Sequence, residues 1–197
     1  DLVIGLLSMS FMAVYVVLVI PSAWLIDTYG FRTAVGIGAG LTAVFALTRG
    51  LFATSFPLVF ASQMGIALGQ PLVVGAVTKV AAAWFPTKER ATAAGLGTLA
   101  IYLGILVAML ITPALAVEYG MATMLLIYGI VAVVSAVCFL VFARANPASP
   151  PCPTGQDERA LMFDGLKQML PQRNFLLLLA VFFIGLGMFN GVSTWIE

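Results

Sequence analysis

The sequence predicts an all-α protein, a polytopic transmembrane helix bundle, and two observations carry this prediction. Of its 197 residues, 62% are hydrophobic and only 9% are charged, whereas a soluble domain carries about 25% charged residues. Apolar stretches of about 20 residues, the length that crosses a bilayer, recur along the chain between short polar turns. The expected surrounding is therefore the lipid bilayer, and the net charge of +1 indicates no nucleic-acid partner.

About six membrane spans account for these apolar stretches. Gly, Pro and most charged residues fall between them, as expected where helices end. The predicted spans are residues 2–25, 33–51, 57–84, 91–116, 121–143 and 174–196. The only long connection is residues 144–173, which begins with a proline-rich segment and continues with an apolar spacing typical of a short interfacial helix.

Positive charge lies mainly on one side of the predicted bundle. Seven of the nine Lys and Arg residues fall in the connections of that side: Arg32, Lys88, Arg90, Arg144, Arg159, Lys167 and Arg173. Because cytoplasmic loops carry an excess of Lys and Arg, this side and the 144–173 linker are predicted to be cytoplasmic, with the protein in the plasma (inner) membrane. The chain begins with Asp1 and apolar residues follow at once, so we expect further spans of the same polypeptide to complete the bundle.

The sequence predicts no catalysis, metal site or cofactor. His is absent, which removes the commonest metal ligand and the usual general base. Cys138 and Cys152 have no metal-binding spacing. A membrane enzyme would need an acid, base, nucleophile or metal set within the spans, and none is visible there. A transporter is the favoured function, with a non-transporting membrane receptor or scaffold as an alternative.

The first connection, AWLIDTYGFR at residues 23–32, resembles the signature G-x-L-x-D-R-x-G-R-R of the major facilitator superfamily. Four positions match it: Leu25, Asp27, Gly30 and Arg32. Three positions depart from it: Ala23, Thr28 and Phe31. The segment FPTKERATAAG, which begins at Phe85, is similar to the family's cytoplasmic elbow between its fourth and fifth spans.

The resemblance implies that the chain holds about spans two to seven of twelve. Residues 1–143 would then be most of the first six-helix half, without its first span. Residues 144–173 would be the central cytoplasmic linker, and residues 174–197 the first span of the second half. The function implied is secondary active or facilitative movement of a small organic solute by alternating access.

A narrower resemblance is to the feline leukaemia virus subgroup C receptor-related branch. It rests on Gln70-Pro71 and on the runs AAAWFPTKERATA and LGTLAIYLGILVAMLITPAL. Members of that branch are linked to choline, ethanolamine and haem transport, and haem is harder to accommodate without a His ligand. The amine site of that branch contains a Gln and a Tyr. In this sequence, Tyr102 aligns with that Gln and Asn190 aligns with that Tyr.

The superfamily resemblance also implies a conformational latch at the cytoplasmic face. Asp27 and Arg90 are the expected pair, and their contacts would form in one access state and break in the other. The full latch set is Asp27, Gly30, Arg32, Lys88, Glu89 and Arg90. The alternative is that these are ordinary charges that flank the spans.

Polar residues within spans are the candidates for solute contact. Gln63 and Gln70 lie on nearly the same helix face, where an unpaired amide is costly, so they either bind solute or join helices. Tyr102, whose ring could face a cation, and Asn190 either line a cavity or pack. Lys79 is expected to snorkel to the cytoplasmic interface, with a role as countercharge for an organic anion as the alternative.

Proton-coupled drug export is a further alternative. Drug antiporters of this superfamily usually carry an Arg early in the fourth span and a Gly-Pro-Gly-Gly run in the fifth. The corresponding segments here, ASQMG and LGILVAMLITP, have neither, and no carboxylate falls within a predicted span. Arg49, at the outer end of its span, is predicted to be an interfacial anchor. The solute remains open between an amine and an organic anion.

Overall fold

The computed structural model describes residues 2–144, 167 and 170–195, with side chains for residues 9–144, 167 and 170–188. This part of the chain contains helices and no strands. The helices are α1 (Leu2–Tyr29), α2 (Phe31–Leu51), α3 (Phe56–Val74), α4 (Ala76–Trp84), α5 (Arg90–Phe142) and α6 (Arg173–Trp195). The prediction of an all-α transmembrane bundle is confirmed.

Among the residues whose side chains the structure describes, four helical stretches have both the length and the hydropathy of a membrane span. They are Met9–Tyr29, Phe31–Leu51, Phe56–Trp84 and Arg90–Phe142. The third contains both α3 and α4, because Gly75 between them keeps a helical conformation, with φ −64° and ψ −22°. It agrees with the predicted span 57–84.

At two of the connections that the sequence analysis assigned to loops, a single glycine reverses the direction of the chain. Gly30, between α1 and α2, has φ 80° and ψ 158°, and Gly120, inside α5, has φ 80° and ψ 161°. Only glycine adopts such angles without strain. One residue therefore redirects the chain, and the polar residues around it stay helical.

The predicted span boundaries are corrected accordingly. The first span continues past residue 25 to Tyr29, so Asp27 belongs to the last turn of α1 and not to a loop. The predicted spans 91–116 and 121–143 are two arms of α5, and the helix continues up to its break at Gly120.

The α2 helix packs against α1, α3 and α5. A buried apolar cluster forms where α1 meets α2 and the α3–α4 span; its members are Ile26, Ala34, Val35, Leu72 and Ala76. Farther along, a Cβ added to Gly69 would lie 2.5 Å from the carbonyl oxygen of Gly38. The α2 and α3 backbones are thus in direct contact, as membrane helices allow where both carry small residues.

The chain forms two compact units, residues 1–156 and 157–197. Helices α1 to α5 belong to the first unit and α6 to the second. With 23 residues and a rise of about 1.5 Å per residue, α6 is about 35 Å long, enough for a bilayer core of about 30 Å. The predicted interfacial helix in the 144–173 linker lies almost wholly outside the described residues, and the assignment of the two transporter halves stays a prediction.

Candidate functional site

A cleft of about 210 Å³ opens between α1 and the α3–α4 span. Its lining includes Tyr15, Ile26, Asp27, Gly75, Thr78 and Lys79. Tyr15 and Asp27 lie about 18 Å apart along α1 at the usual helical rise. The cleft therefore runs from an aromatic side chain well inside the α1 span to a pair of opposite charges near the end of that helix.

The charged end of the cleft is a salt bridge between Lys79 Nζ and Asp27 Oδ1. The side chain of Asp27 is 19% exposed and that of Lys79 is 52% exposed. The Oδ1 atom is buried and accepts no hydrogen bond of regular geometry within the described part of the chain. Because a buried carboxylate without an opposite charge is costly, the Lys79 ammonium is the group that stabilises it, and the pair joins the last turn of α1 to α4.

This pairing differs from the contacts that the sequence analysis expected. The expected partner of Asp27 was Arg90, whose Nε donates a hydrogen bond to the Phe85 carbonyl oxygen at 3.3 Å, and a latch between Asp27 and Arg90 stays a prediction. Lys79 was expected to snorkel to the interface or to act as countercharge for an anion, and in this structure it contacts Asp27. The physical reason is that Asp27 lies in a helical turn packed on the α3–α4 span, where a Cβ on Gly75 would be 3.2 Å from Ile26 Cδ1. The same helical position gives the α1 span a carboxylate, which the sequence analysis did not expect in any span.

The other predicted latch residues lie at helix ends. Gly30 is the reversal between α1 and α2, and Arg32 is exposed in the first turn of α2. Lys88 and Glu89 are exposed on the elbow between α4 and α5. Within the described residues, Arg32, Lys88 and Glu89 form no salt bridge, and the ion pair among the charged residues of this region is the one between Asp27 and Lys79; the latch role of the set stays a prediction.

Gln63 takes part in a contact between helices. The Nη1 of Arg49 on α2 donates a hydrogen bond to Gln63 Oε1 on α3 at 2.5 Å, and both side chains are half-buried. Arg49 thus makes a contact between helices that the sequence analysis did not predict, and its role as an interfacial anchor stays a prediction. For Gln63, the contact supports the interhelical alternative over solute binding, since its carbonyl oxygen already accepts a hydrogen bond.

Two of the remaining predicted solute-binding residues, Gln70 and Tyr102, do not line the cleft. Gln70 is half-buried in α3. Tyr102 lies on the first arm of α5 and is 52% exposed. The backbone of Asn190 belongs to α6, and its side chain lies outside the described part of the structure. Their role in solute binding stays a prediction.

The sequence analysis missed several polar residues that the structure places in contacts. Tyr15 and Thr78 line the cleft, and the Thr112 and Tyr128 hydroxyl oxygens lie 2.5 Å apart, which joins the two arms of α5. An isolated Tyr or Thr inside an apolar span was the available signal. In the described residues, no cluster of three or more His, Cys, Asp or Glu side chains could hold a metal ion.

Comparison with known proteins gives one family and several relatives. Residues 1–197 match the Major Facilitator Superfamily. The chain is 35% identical to Solute carrier family 49 member A3 of Danio rerio, over 97% of this chain and 42% of that protein. It is 26% identical to the choline/ethanolamine transporter FLVCR2 of Homo sapiens, over 95% of this chain and 39% of that protein. The chain thus spans about two fifths of the length of these relatives, and the resemblance to the receptor-related branch is confirmed.

Proposed function

The chain belongs to the major facilitator superfamily of membrane transporters, and on that premise we propose that it forms part of a transporter that moves a small organic amine by alternating access. The observation that carries the proposal is the Asp27–Lys79 salt bridge beside the α1–α4 cleft. It adds an ion pair to the apolar contacts between two membrane-spanning segments. Such a contact can hold one packing of the helices and break in another.

The different exposures of the Asp27 and Lys79 side chains are consistent with a salt bridge that can form and break. Asp27 is largely buried, whereas about half of the Lys79 side chain is exposed. The flexible lysine can therefore leave while the carboxylate stays within α1. Separation of the two charges would remove the polar contact between α1 and α4 at this end of the cleft.

The salt bridge also bears on the choice between an amine and an organic anion. An anionic solute needs a positive charge within the spans, and the sequence analysis offered Lys79 for that role. Its charge is offset by Asp27, which weakens the case for an anion. An amine needs an aromatic face or amide oxygens, and Tyr102, Gln70 and Asn190 could supply these. The names of the FLVCR2 relatives, choline/ethanolamine transporters, support the same solute class.

A ligand-induced melting shift tests the solute class. The native polypeptide that contains this chain, as cells make it, is purified in detergent and heated with choline, ethanolamine, succinate or no ligand. A ligand that binds only the folded state at 100 times its Kd stabilises that state by about 2.7 kcal/mol. We expect choline and ethanolamine to raise the melting temperature and succinate to leave it unchanged.

Two variants separate a site from a general effect. Tyr102→Ala should reduce the choline shift, while Tyr119→Ala, which removes another exposed Tyr of α5, should leave it intact. A shift with succinate alone would contradict the amine proposal and return Lys79 to the role of an anion's partner. No shift with any solute would favour the receptor or scaffold alternative.

A further inference from the structure

A hydroxyl group lies beside the charged end of the α1–α4 cleft. Thr78, which precedes Lys79 on α4, also lines the cleft. Its hydroxyl donates a hydrogen bond to the Gly75 carbonyl oxygen at 3.3 Å. Because a hydroxyl oxygen has two lone pairs besides its one donor, the Thr78 oxygen can still accept a hydrogen bond from a ligand in the cleft.

The Asp27 carboxylate holds an ammonium group in this structure, that of Lys79. The Lys79 side chain is 52% exposed, and a lysine ammonium is a strongly hydrated charge on a flexible stem. Such a side chain can leave its partner and keep its charge in water. The Lys79 ammonium therefore marks a position that the ammonium of a small solute can occupy in its place.

The walls of the cleft beside these polar groups are apolar. Val19 and Ile26 line it from α1, and Pro71 and Val74 line it from α3. Apolar walls lower the local dielectric constant, which strengthens the attraction between a carboxylate and a cation. The cleft volume of about 210 Å³ is well above the roughly 15 Å³ at which a cavity holds one water molecule. A small organic cation therefore has room beside Asp27.

We propose that this end of the cleft is a subsite for a small amino alcohol, with the ammonium of the solute on Asp27 and its hydroxyl donating to Thr78 Oγ1. Lys79 is then a built-in competitor, which holds the carboxylate while the subsite is empty and leaves it when the solute arrives. The inference rests on the proposed function, because it names contacts for the same amine. Gln70 and Tyr102 do not line the cleft, so this subsite is separate from the one predicted around them.

Isothermal titration calorimetry of the native polypeptide in detergent tests the subsite, with choline and tetramethylammonium as ligands. Tetramethylammonium has a quaternary ammonium group, as choline does, but no hydroxyl. In Thr78→Val, the Kd for choline should rise about fivefold, the loss expected for one ordinary hydrogen bond. The Kd for tetramethylammonium should stay unchanged in the same variant, which also shows that the variant is folded.

Thr98→Val is the matched control for Thr78→Val. The Thr98 hydroxyl also donates to a carbonyl oxygen of its own helix, that of Ala94 at 3.0 Å, but Thr98 does not line the cleft. This substitution should change neither Kd. Equal losses of affinity for choline and tetramethylammonium in Thr78→Val would overturn the proposal, because they would indicate a structural role for Thr78.

The salt-bridge partners should act in opposite directions on the affinity for both cations. Lys79→Gln removes the competitor and should lower both Kd values about fivefold, because the empty carboxylate is then always available. Asp27→Asn removes the carboxylate and should raise both values by at least that factor. A salt bridge with only a structural role would give weaker binding in both variants, so a raised Kd in Lys79→Gln would overturn the proposal.

Two further outcomes separate the subsite from the proposed function. Choline binding that is unchanged in Thr78→Val, Lys79→Gln and Asp27→Asn would show that the cleft takes no solute, for example because another part of the polypeptide fills it. That result would overturn the subsite and leave the proposed amine transport in place. No binding of choline or ethanolamine by the unaltered polypeptide would overturn both.

Discussion

The Asp27–Lys79 salt bridge makes a quantitative prediction for a double-mutant cycle with Asp27→Asn and Lys79→Gln. Removing one partner of a fully buried pair costs about 3–5 kcal/mol, and exposed pairs contribute about 0.2–1 kcal/mol. With side chains that are 19% and 52% exposed, this pair lies between the two cases. Because solvent reaches Lys79, we expect a coupling free energy of about 1–2 kcal/mol.

The assay is equilibrium unfolding of the native polypeptide in mixed micelles with increasing SDS, with Trp fluorescence as the readout. Lys79→Gln alone should lower the free energy of unfolding most, because it leaves the buried Asp27 carboxylate without an opposite charge, and the same substitution should cost little once Asp27 is neutral. A matched cycle of Asp27→Asn with Arg32→Gln provides the control, since Arg32 forms no salt bridge with Asp27 in the structure. A coupling of less than about 0.3 kcal/mol for the Lys79 cycle, within the usual error of additivity, would refute the pairing.

Three further substitutions test the packing in the same unfolding assay. Gly30→Ala should lower the free energy of unfolding by about 1–3 kcal/mol, because φ 80° and ψ 158° lie in a region that is essentially limited to glycine. An unchanged value would contradict this backbone conformation. Gly69→Ala should destabilise by about 1–3 kcal/mol, because its Cβ would lie 2.5 Å from the Gly38 carbonyl oxygen. Gly95→Ala is the control for Gly69→Ala, because a Cβ at Gly95 would meet nothing within 4 Å, and it should be neutral or stabilising. Equal losses of stability in the two variants would contradict the close contact between Gly69 and Gly38. Tyr128→Phe should lower stability by about 0.6 kcal/mol through loss of the hydroxyl contact with α5's first arm, and a gain in stability would contradict that contact.

The fold could be predicted from the sequence because hydropathy alone limits where a chain can cross a bilayer. The spans at 57–84 and 174–196 agree with the helices to within one or two residues at the ends that the structure describes. The connections were harder to predict, because a polar run such as DTYG reads as a loop. In the structure, Gly30 supplies the whole reversal and the residues before it remain helical.

The sequence analysis identified several residues of the candidate site, but it did not identify the contacts that they make with one another. Asp27 was identified through the signature motif, but its partner depends on which face of α1 packs against the α3–α4 span. Lys79 was interpreted from its position along its own helix, and that position says nothing about a neighbouring helix. Arg49 was assigned to the interface for the same reason, and its contact with Gln63 follows from the packing of α2 on α3.

Uptake of radiolabelled choline into proteoliposomes is the most direct test of the central claim that this chain belongs to an amine transporter that works by alternating access. The native polypeptide is reconstituted in vesicles that contain or lack unlabelled choline. We predict saturable uptake that ethanolamine reduces and that internal choline accelerates, because the same site must return across the membrane loaded or empty. Uptake no greater than in protein-free vesicles, or a flux that rises without saturation, would contradict the account.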